Sequence, residues 1–235
     1  MKWPNMLDRN IHKSILLQIL KDIYTDVSLG PFLGFKGGTA AHLFYKLGRF
    51  SVDLDFDLLN EEKAVLVFEK IEKILQEYGN IKEKHQKHNT LFFILSYEEK
   101  APNIKVEINR RRFGSRYEIQ HYLGISMMVM IKEDMFAHKL VAILERSRTA
   151  NRDVYDIWYF LKNRWPINKE IVETRTQMSF MGYLGKCIKF VESLTDRNIL
   201  SGMGELLDEK QKAWVKNNLN KDTAFLLKIR LGQEK

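Results

Sequence analysis

The chain holds one cysteine, Cys187, and four prolines among 235 residues, and it has no long uninterrupted apolar run. A single thiol excludes an internal disulfide framework and a cysteine-based zinc site, and it fits a reducing compartment. A membrane-crossing helix needs about 20 consecutive apolar residues, so no membrane association is expected. The opening Met-Lys-Trp-Pro-Asn leads into an amphipathic segment rather than a signal sequence, and a cytoplasmic location is the expectation. Low-complexity tracts and internal repeats are also missing. What remains is a globular composition, 45% hydrophobic and 29% charged, long enough for one large domain or two modest ones. The formal charge of +8 favours an anionic partner, although it also suits a generally basic protein.

Periodicity divides the chain into two halves. Ile11, Ile15, Ile19 and Ile23, with Leu16 and Leu20, predict an amphipathic helix over 9–26. Gly30 and Pro31 end it; Phe32–Phe35 reads as a short strand, Gly37-Gly38 as a turn, and Thr39–Leu47 as a helix. Val52–Leu58 has the period of a strand, and Val67, Ile71, Ile74, Leu75 and Tyr78 that of a helix over 61–78. Strands are expected at Leu91–Tyr97 and Ile104–Asn109, and one or two more within Tyr117–Ile131. From Lys132 onward the stripes are helical, through Phe136–Leu144, Val154–Leu161 and a small bundle beyond Lys169. The fold expected is α+β: an α/β domain at 1–131 with a mixed sheet and flanking helices, then a helical domain at 132–235 closing an active-site cleft.

Candidate chemistry concentrates between Phe35 and Leu58. Gly37 and Gly38 fall between a strand and a helix, where bare amides and a helix N-terminus can approach a phosphate, with Lys36, Thr39 and Ser51 nearby. Most such glycine pairs are only turns. In the strand that follows, alternation puts Asp53, Asp55 and Asp57 on one face. Ile104-Lys-Val-Glu-Ile-Asn109 alternates too, sharing a face among Lys105, Glu107 and Asn109. If the two strands are neighbours, Glu107 joins Asp53 and Asp55, and three carboxylates can hold Mg2+ against a nucleotide phosphate. Two half-exposed strands with solvated acidic faces give the same pattern. Asp57 has no evident role and is expected to be dispensable.

Four further features stand apart. Asp153 and Asp156 share a helical face, with Arg152 placed to pair with Asp156, and Lys139 lies beside its own helix's apolar stripe; each also suits an ordinary solvated position. Arg110, Arg111, Arg112 and Arg116, interleaved with Phe113 and Tyr117, suit RNA through phosphate contacts and stacking, or a solvated loop. His85 and His88 lie in a polar stretch and match no metal spacing. Cys187 reads as a core residue.

Taken together, Lys36-Gly-Gly-Thr-Ala40, Arg49-Phe-Ser-Val-Asp-Leu-Asp-Phe56, Lys105-Val-Glu-Ile108, Glu133-Asp-Met-Phe-Ala-His-Lys-Leu140 and Asn151-Arg-Asp-Val-Tyr-Asp-Ile157 resemble the AbiEii/AbiGii-type nucleotidyltransferase toxins of the DNA polymerase beta-like superfamily. The likeness spans roughly residues 30–162. It implies an enzyme that binds Mg2+ and a nucleoside triphosphate (NTP) and transfers a nucleoside monophosphate to an RNA acceptor, tRNA for some members. Such enzymes act as the toxin of a toxin–antitoxin or abortive-infection pair in phage defence, which implies a cognate antitoxin.

Residue by residue, the resemblance makes Asp53, Asp55 and Glu107 the metal ligands and Ser51 a phosphate-holding serine. It makes Lys139, Asp153 and Asp156 the helical part of the catalytic set. Two positions depart from the pattern: Glu107 stands where an Asp is common, and a downstream threonine is absent, Ser115 being the nearest hydroxyl. The same residues leave room for transfer to a protein side chain, or for a nucleotide- or RNA-binding module without turnover.

Overall fold

A computed structural model describes residues 8–99, 101–146 and 151–234. By its internal contacts the chain forms two compact units. One comprises residues up to Lys46, Phe50–Arg112 and Arg116–Met130; the other comprises Leu47–Arg49, Phe113–Ser115 and Ile131 onward.

The first unit is built on a seven-stranded mixed sheet. Its elements are α1 (Arg9–Thr25), β1 (Leu33–Lys36), α2 (Gly37–Tyr45), β2 (Leu54–Leu58), α3 (Ala64–Tyr78), β3 (Asn80–Lys87), β4 (Thr90–Ser96), β5 (Ile104–Asn109), β6 (Tyr117–Tyr122) and β7 (Ile125–Met130). The strand order is β3-β4-β5-β2-β1-β7-β6. Only β2 with β5 and β1 with β7 run parallel; the other neighbours are antiparallel. Gly37 and Gly38 are thus the first residues of α2 rather than a separate turn. The Tyr117–Ile131 region is the β6–β7 hairpin, turning at Leu123 and Gly124, both with positive φ. β3 has no counterpart in the sequence reading, because an edge strand of Asn-Ile-Lys-Glu-Lys-His-Gln-Lys buries nothing fully and shows no apolar alternation.

The sheet has one apolar and one polar face. Leu33, Phe35, Leu54, Phe56, Leu91, Phe93, Ile104, Val106 and Ile108 are all 0% exposed. Phe93 packs on Phe68 of α3, and Phe56 meets Phe35 and Tyr24 of α1. Helix α1, capped by the Asp8 carboxylate, buries His12, Leu16, Ile19, Leu20 and Ile23. Ile11, which leads the predicted stripe, is 49% exposed. His12 takes the core position because both ring nitrogens find partners there, described below.

The second unit is all-helical apart from its short excursions: α4 (Lys132–Glu145), α5 (Asn151–Lys162), α6 (Lys169–Thr176), α7 (Phe180–Ser193) and α8 (Glu209–Gly232). Its core includes Phe136, Leu140, Phe160, Leu184, Cys187 and Val191. Burial raises the Cys187 thiol to about 12, so it stays protonated and inert. Asp208 and Gln211 start α8 with a reciprocal capping box.

Phe56 is fully buried on the central strand, so Phe56→Ala is expected to cost about 3–5 kcal/mol. Chemical denaturation checks this as a lower midpoint with an unchanged slope.

Candidate functional site

The polar face of the sheet gathers the sequence candidates by register. Lys36 of β1 lies opposite Asp55 of β2, which lies opposite Glu107 of β5; one step along, Gly34 faces Asp57 and Asp57 faces Asn109. Parallel pairing of β2 with β5 therefore brings Glu107 beside Asp55. Helix α2 begins where β1 ends, its first turn has no side-chain cap, and its free amides point away from the helix. Gly37 has φ +80°, and an added Cβ would fall 2.4 Å from Oδ2 of Asp55. The glycine thus lets the carboxylate lie directly against the helix start, which a larger side chain would prevent.

Asp53 precedes β2 and is placed through its backbone neighbours. Nε2–H of His12 donates to the Val52 carbonyl at 3.0 Å, while Nδ1 accepts from the Tyr97 hydroxyl at 2.8 Å. Burial pushes the His12 pKa down, so the ring is a neutral brace. Thr39, 2% exposed, donates its hydroxyl to the Asp53 carbonyl. Thr39 and His12 accordingly fix the backbone on either side of the Val52–Asp53 peptide, and Ser51 is 8% exposed. His12 was invisible to sequence reasoning because its partners lie 40 and 85 residues away.

Lys105 shares the face with Glu107 and reaches both carboxylates, at 2.8 Å from Glu107 and 3.4 Å from Asp55. Burial opposes its charge, but Asp55, Glu107 and Asp53 outweigh burial and hold the ammonium above the usual lysine range. Among the described residues no three acidic, His or Cys side chains form a ready metal cage. The donor set nevertheless fits a hard divalent cation: it is all oxygen, and a positive group, the Lys105 ammonium, already bridges two of its members.

Asp57 is not idle. It is 7% exposed and accepts from Lys36 Nζ at 2.5 Å, Tyr117 OH at 2.5 Å and Asn109 Nδ2 at 2.8 Å. Burial alone would raise its pKa, but Lys36 and the two further donors bring it below the usual carboxylate value. The Tyr117 ring covers Gly34, where a Cβ would meet it at 2.2 Å. Asp57 therefore ties β1, β2, β5 and β6 together and holds Lys36.

The remaining candidates lie elsewhere. In the helical unit, Asp156 receives two bonds from Arg49, at 2.6 and 2.7 Å, and Lys139 stands 3.0 Å from Asp156 and 2.8 Å from Asp153. Arg146 approaches Asp153 at 3.0 Å. Arg49 is 2% exposed, and the sequence reading named it only as part of a motif. Burial works against the charges of Arg49, Lys139 and Asp153. The ion pairs still hold Arg49 and Lys139 up in pKa and Asp153 down. Arg175 donates to Nδ1 of His138, so Nε2 carries the proton and donates to Ser115 at 2.7 Å. Of the arginine cluster, Arg110 donates to Glu61 and the Lys87 carbonyl, Arg111 to Asn109 and Arg112 to the Leu59 carbonyl, and Arg111, Arg112 and Arg116 are exposed.

Residues 18–216 match the family described as nucleotidyl transferase AbiEii toxin, type IV toxin–antitoxin system. Two solved structures share the fold over 97% of this chain and 97% of theirs. One is a presumed nucleotidyltransferase from Helicobacter pylori, with 18% identity and a TM-score of 0.59. The other is JHP933 from Helicobacter pylori, with 17% identity and a TM-score of 0.55. No match was found among curated proteins. The likeness to both is one of fold, a mixed sheet with flanking helices followed by a helical unit.

A depressed pKa links Asp57 to acid stability. Its contribution is complete above the unfolded value of about 3.9 and is lost as pH falls through the lower folded value. Thermal melts from pH 6 to 2 are expected to show a steeper acid loss for the native chain than for Asp57→Asn, which is less stable at pH 6.

Proposed function

We propose, for a chain that belongs to the nucleotidyltransferase AbiEii toxin family, a transfer of nucleoside monophosphate from an NTP to the terminal hydroxyl of an RNA, with tRNA the favoured acceptor. The carrying observation is the placement of Asp55 opposite Glu107, against the N-terminus of α2, with Asp53 braced beside them. Family membership makes the protein a nucleotidyltransferase of a toxin–antitoxin system. An antitoxin partner follows from that setting, and abortive infection or phage defence is the biological role we favour.

Each residue then has a task. Asp53, Asp55 and Glu107 would hold Mg2+, which when bound supplies Lewis-acid polarisation of the α-phosphate and a lowered pKa for the attacking hydroxyl. The first amides of α2, at Gly37 and Gly38, cradle phosphate oxygens, and the helix dipole favours their charge. Lys36 adds positive charge from β1, held in place by Asp57, and Thr39 acts through the Asp53 backbone. Ser51 is assigned to the phosphates. In the helical unit Asp153 and Asp156 hold Lys139, and a role for that lysine as a counter-charge is carried over from the family resemblance alone. Arg111, Arg112 and Arg116 are assigned to the RNA backbone, with Arg110 anchoring their segment through Glu61.

Incubation with labelled NTPs, Mg2+ and total RNA is expected to give a ribonuclease-sensitive labelled product. Asp53→Ala and Asp55→Ala are each expected to reduce it by about 100- to 1000-fold, as for removal of a central charge-stabilising group. Label that survives ribonuclease would instead identify a protein acceptor, and nucleotide binding with no labelled product would identify a non-catalytic module.

Lys105 gives a test that does not depend on turnover. If metal must displace its ammonium from Asp55 and Glu107, Lys105→Met is expected to bind Mn2+ about tenfold more tightly, the effect of removing one nearby like charge. Titration followed by Mn2+ electron paramagnetic resonance measures it; unchanged or weaker binding would show that the lysine does not compete.

A further inference from the structure

The row of residues that crosses the polar face does not stop at Glu107. Glu107 lies opposite Phe92 of β4, and Phe92 lies opposite His85 of β3. From one side to the other the row reads Lys36, Asp55, Glu107, Phe92, His85. Adjacent strands are about 4.8 Å apart, so the phenyl ring stands one strand from a metal-ligand candidate, on the side away from the glycines of α2.

Phe92 and His85 stack nearly parallel, with centroids 4.6 Å apart and 12° between the ring planes. The pair is not core. Phe92 is half-buried while its neighbours Leu91 and Phe93 are 0% exposed, as alternation along β4 requires. His85 keeps 27% of its side chain exposed and lies 3.4 Å from Glu83. Along that face of the edge strand His85 is flanked by Glu83 and Lys87, while Lys84 lies opposite Phe93 on the other face and pairs with Glu72.

Cross-strand aromatic pairs often serve only to hold two strands together. This one differs in where the register puts it: on the polar face, in line with the carboxylates. Flat side chains on an accessible sheet face are a recurrent means of holding unpaired bases, because every base has a π-face. The direction of the row then selects which nucleotide. Phosphates of the NTP belong with the α2 amides at one end, which leaves the end beyond Glu107 to the acceptor.

We propose that Phe92 and His85 form a stacking platform for the unpaired terminal base of a single-stranded RNA acceptor. This rests on the reading of the carboxylates as a nucleotidyl-transfer site with an RNA acceptor. Stacking there orients the 3′-terminal nucleotide so that its hydroxyl is directed toward Glu107, and it tolerates any base because the contact is with a ring face rather than a base edge.

The test is binding rather than turnover. A fluorescent single-stranded RNA ending in an unpaired base, and the same RNA with an abasic terminal nucleotide, are titrated by anisotropy against the native chain, Phe92→Leu and Phe92→Trp. The native chain is expected to bind the intact end about tenfold more tightly than the abasic one. Phe92→Leu, which keeps an apolar strand residue, is expected to erase that difference, and Phe92→Trp to retain it. His85→Ala, which leaves the apolar face of β4 untouched, is expected to reduce it and serves if Phe92→Leu does not fold. Equal binding of intact and abasic RNA by the native chain would overturn the platform alone. A Phe92→Leu loss that is the same for both RNAs would overturn it too, as a purely structural effect. A native chain that binds neither RNA would overturn the RNA-acceptor reading together with the platform.

Discussion

The parallel pairing of β2 with β5 is the constraint on which the site depends. It sets Asp55 against Glu107 and Asp57 against Asn109, and a slip of one residue would turn every one of these side chains to the opposite face. The register is secured from the other side of the sheet, where Leu54, Phe56, Val106 and Ile108 are wholly buried. An apolar core thus fixes the geometry of a polar face that could not fix itself, since carboxylates in proximity repel. Lys105 relieves that repulsion between Asp55 and Glu107, and Lys36 does the same for Asp57.

A second economy appears in how the acidic segment is held. Asp53 lies just before the strand ladder begins, yet the Val52 and Asp53 carbonyls are each engaged by a buried side chain, from His12 and Thr39. Both donors come from helices that also carry core residues, so the aspartate's position is tied to the packing of α1 and α2. In the helical unit the solution is different in kind. Arg49, Lys139 and Arg146 surround two almost fully buried carboxylates, and removal of any one partner would leave charge in a poorly solvated interior.

Much of the architecture was legible because period and burial coincide. The alternation at Leu54–Leu58 and Ile104–Asn109 has an apolar half that the core enforces, and the stripes of α3, α4 and α5 face their neighbours in the expected way. Where no such half exists, as in β3, the pattern is silent. The stripe of α1 misled by one position because a histidine, polar in composition, behaves as core once both ring nitrogens are bonded.

The residue types alone carried the family motifs, the two acidic and glycine-rich segments, and the identity of Asp53, Asp55 and Glu107 as candidates. They also carried the change from mixed to helical periodicity after Ile131. They could not show which charges are already matched. The partners of Asp57, the bridging position of Lys105, the brace at His12 and the burial of Arg49 against Asp156 all join residues far apart along the chain. The same holds for the row from Lys36 to His85, whose five members come from five strands. Local periodicity reports which face a side chain occupies, whereas its electrostatic role depends on what the sheet order sets beside it, and strand order is a property of the packed whole.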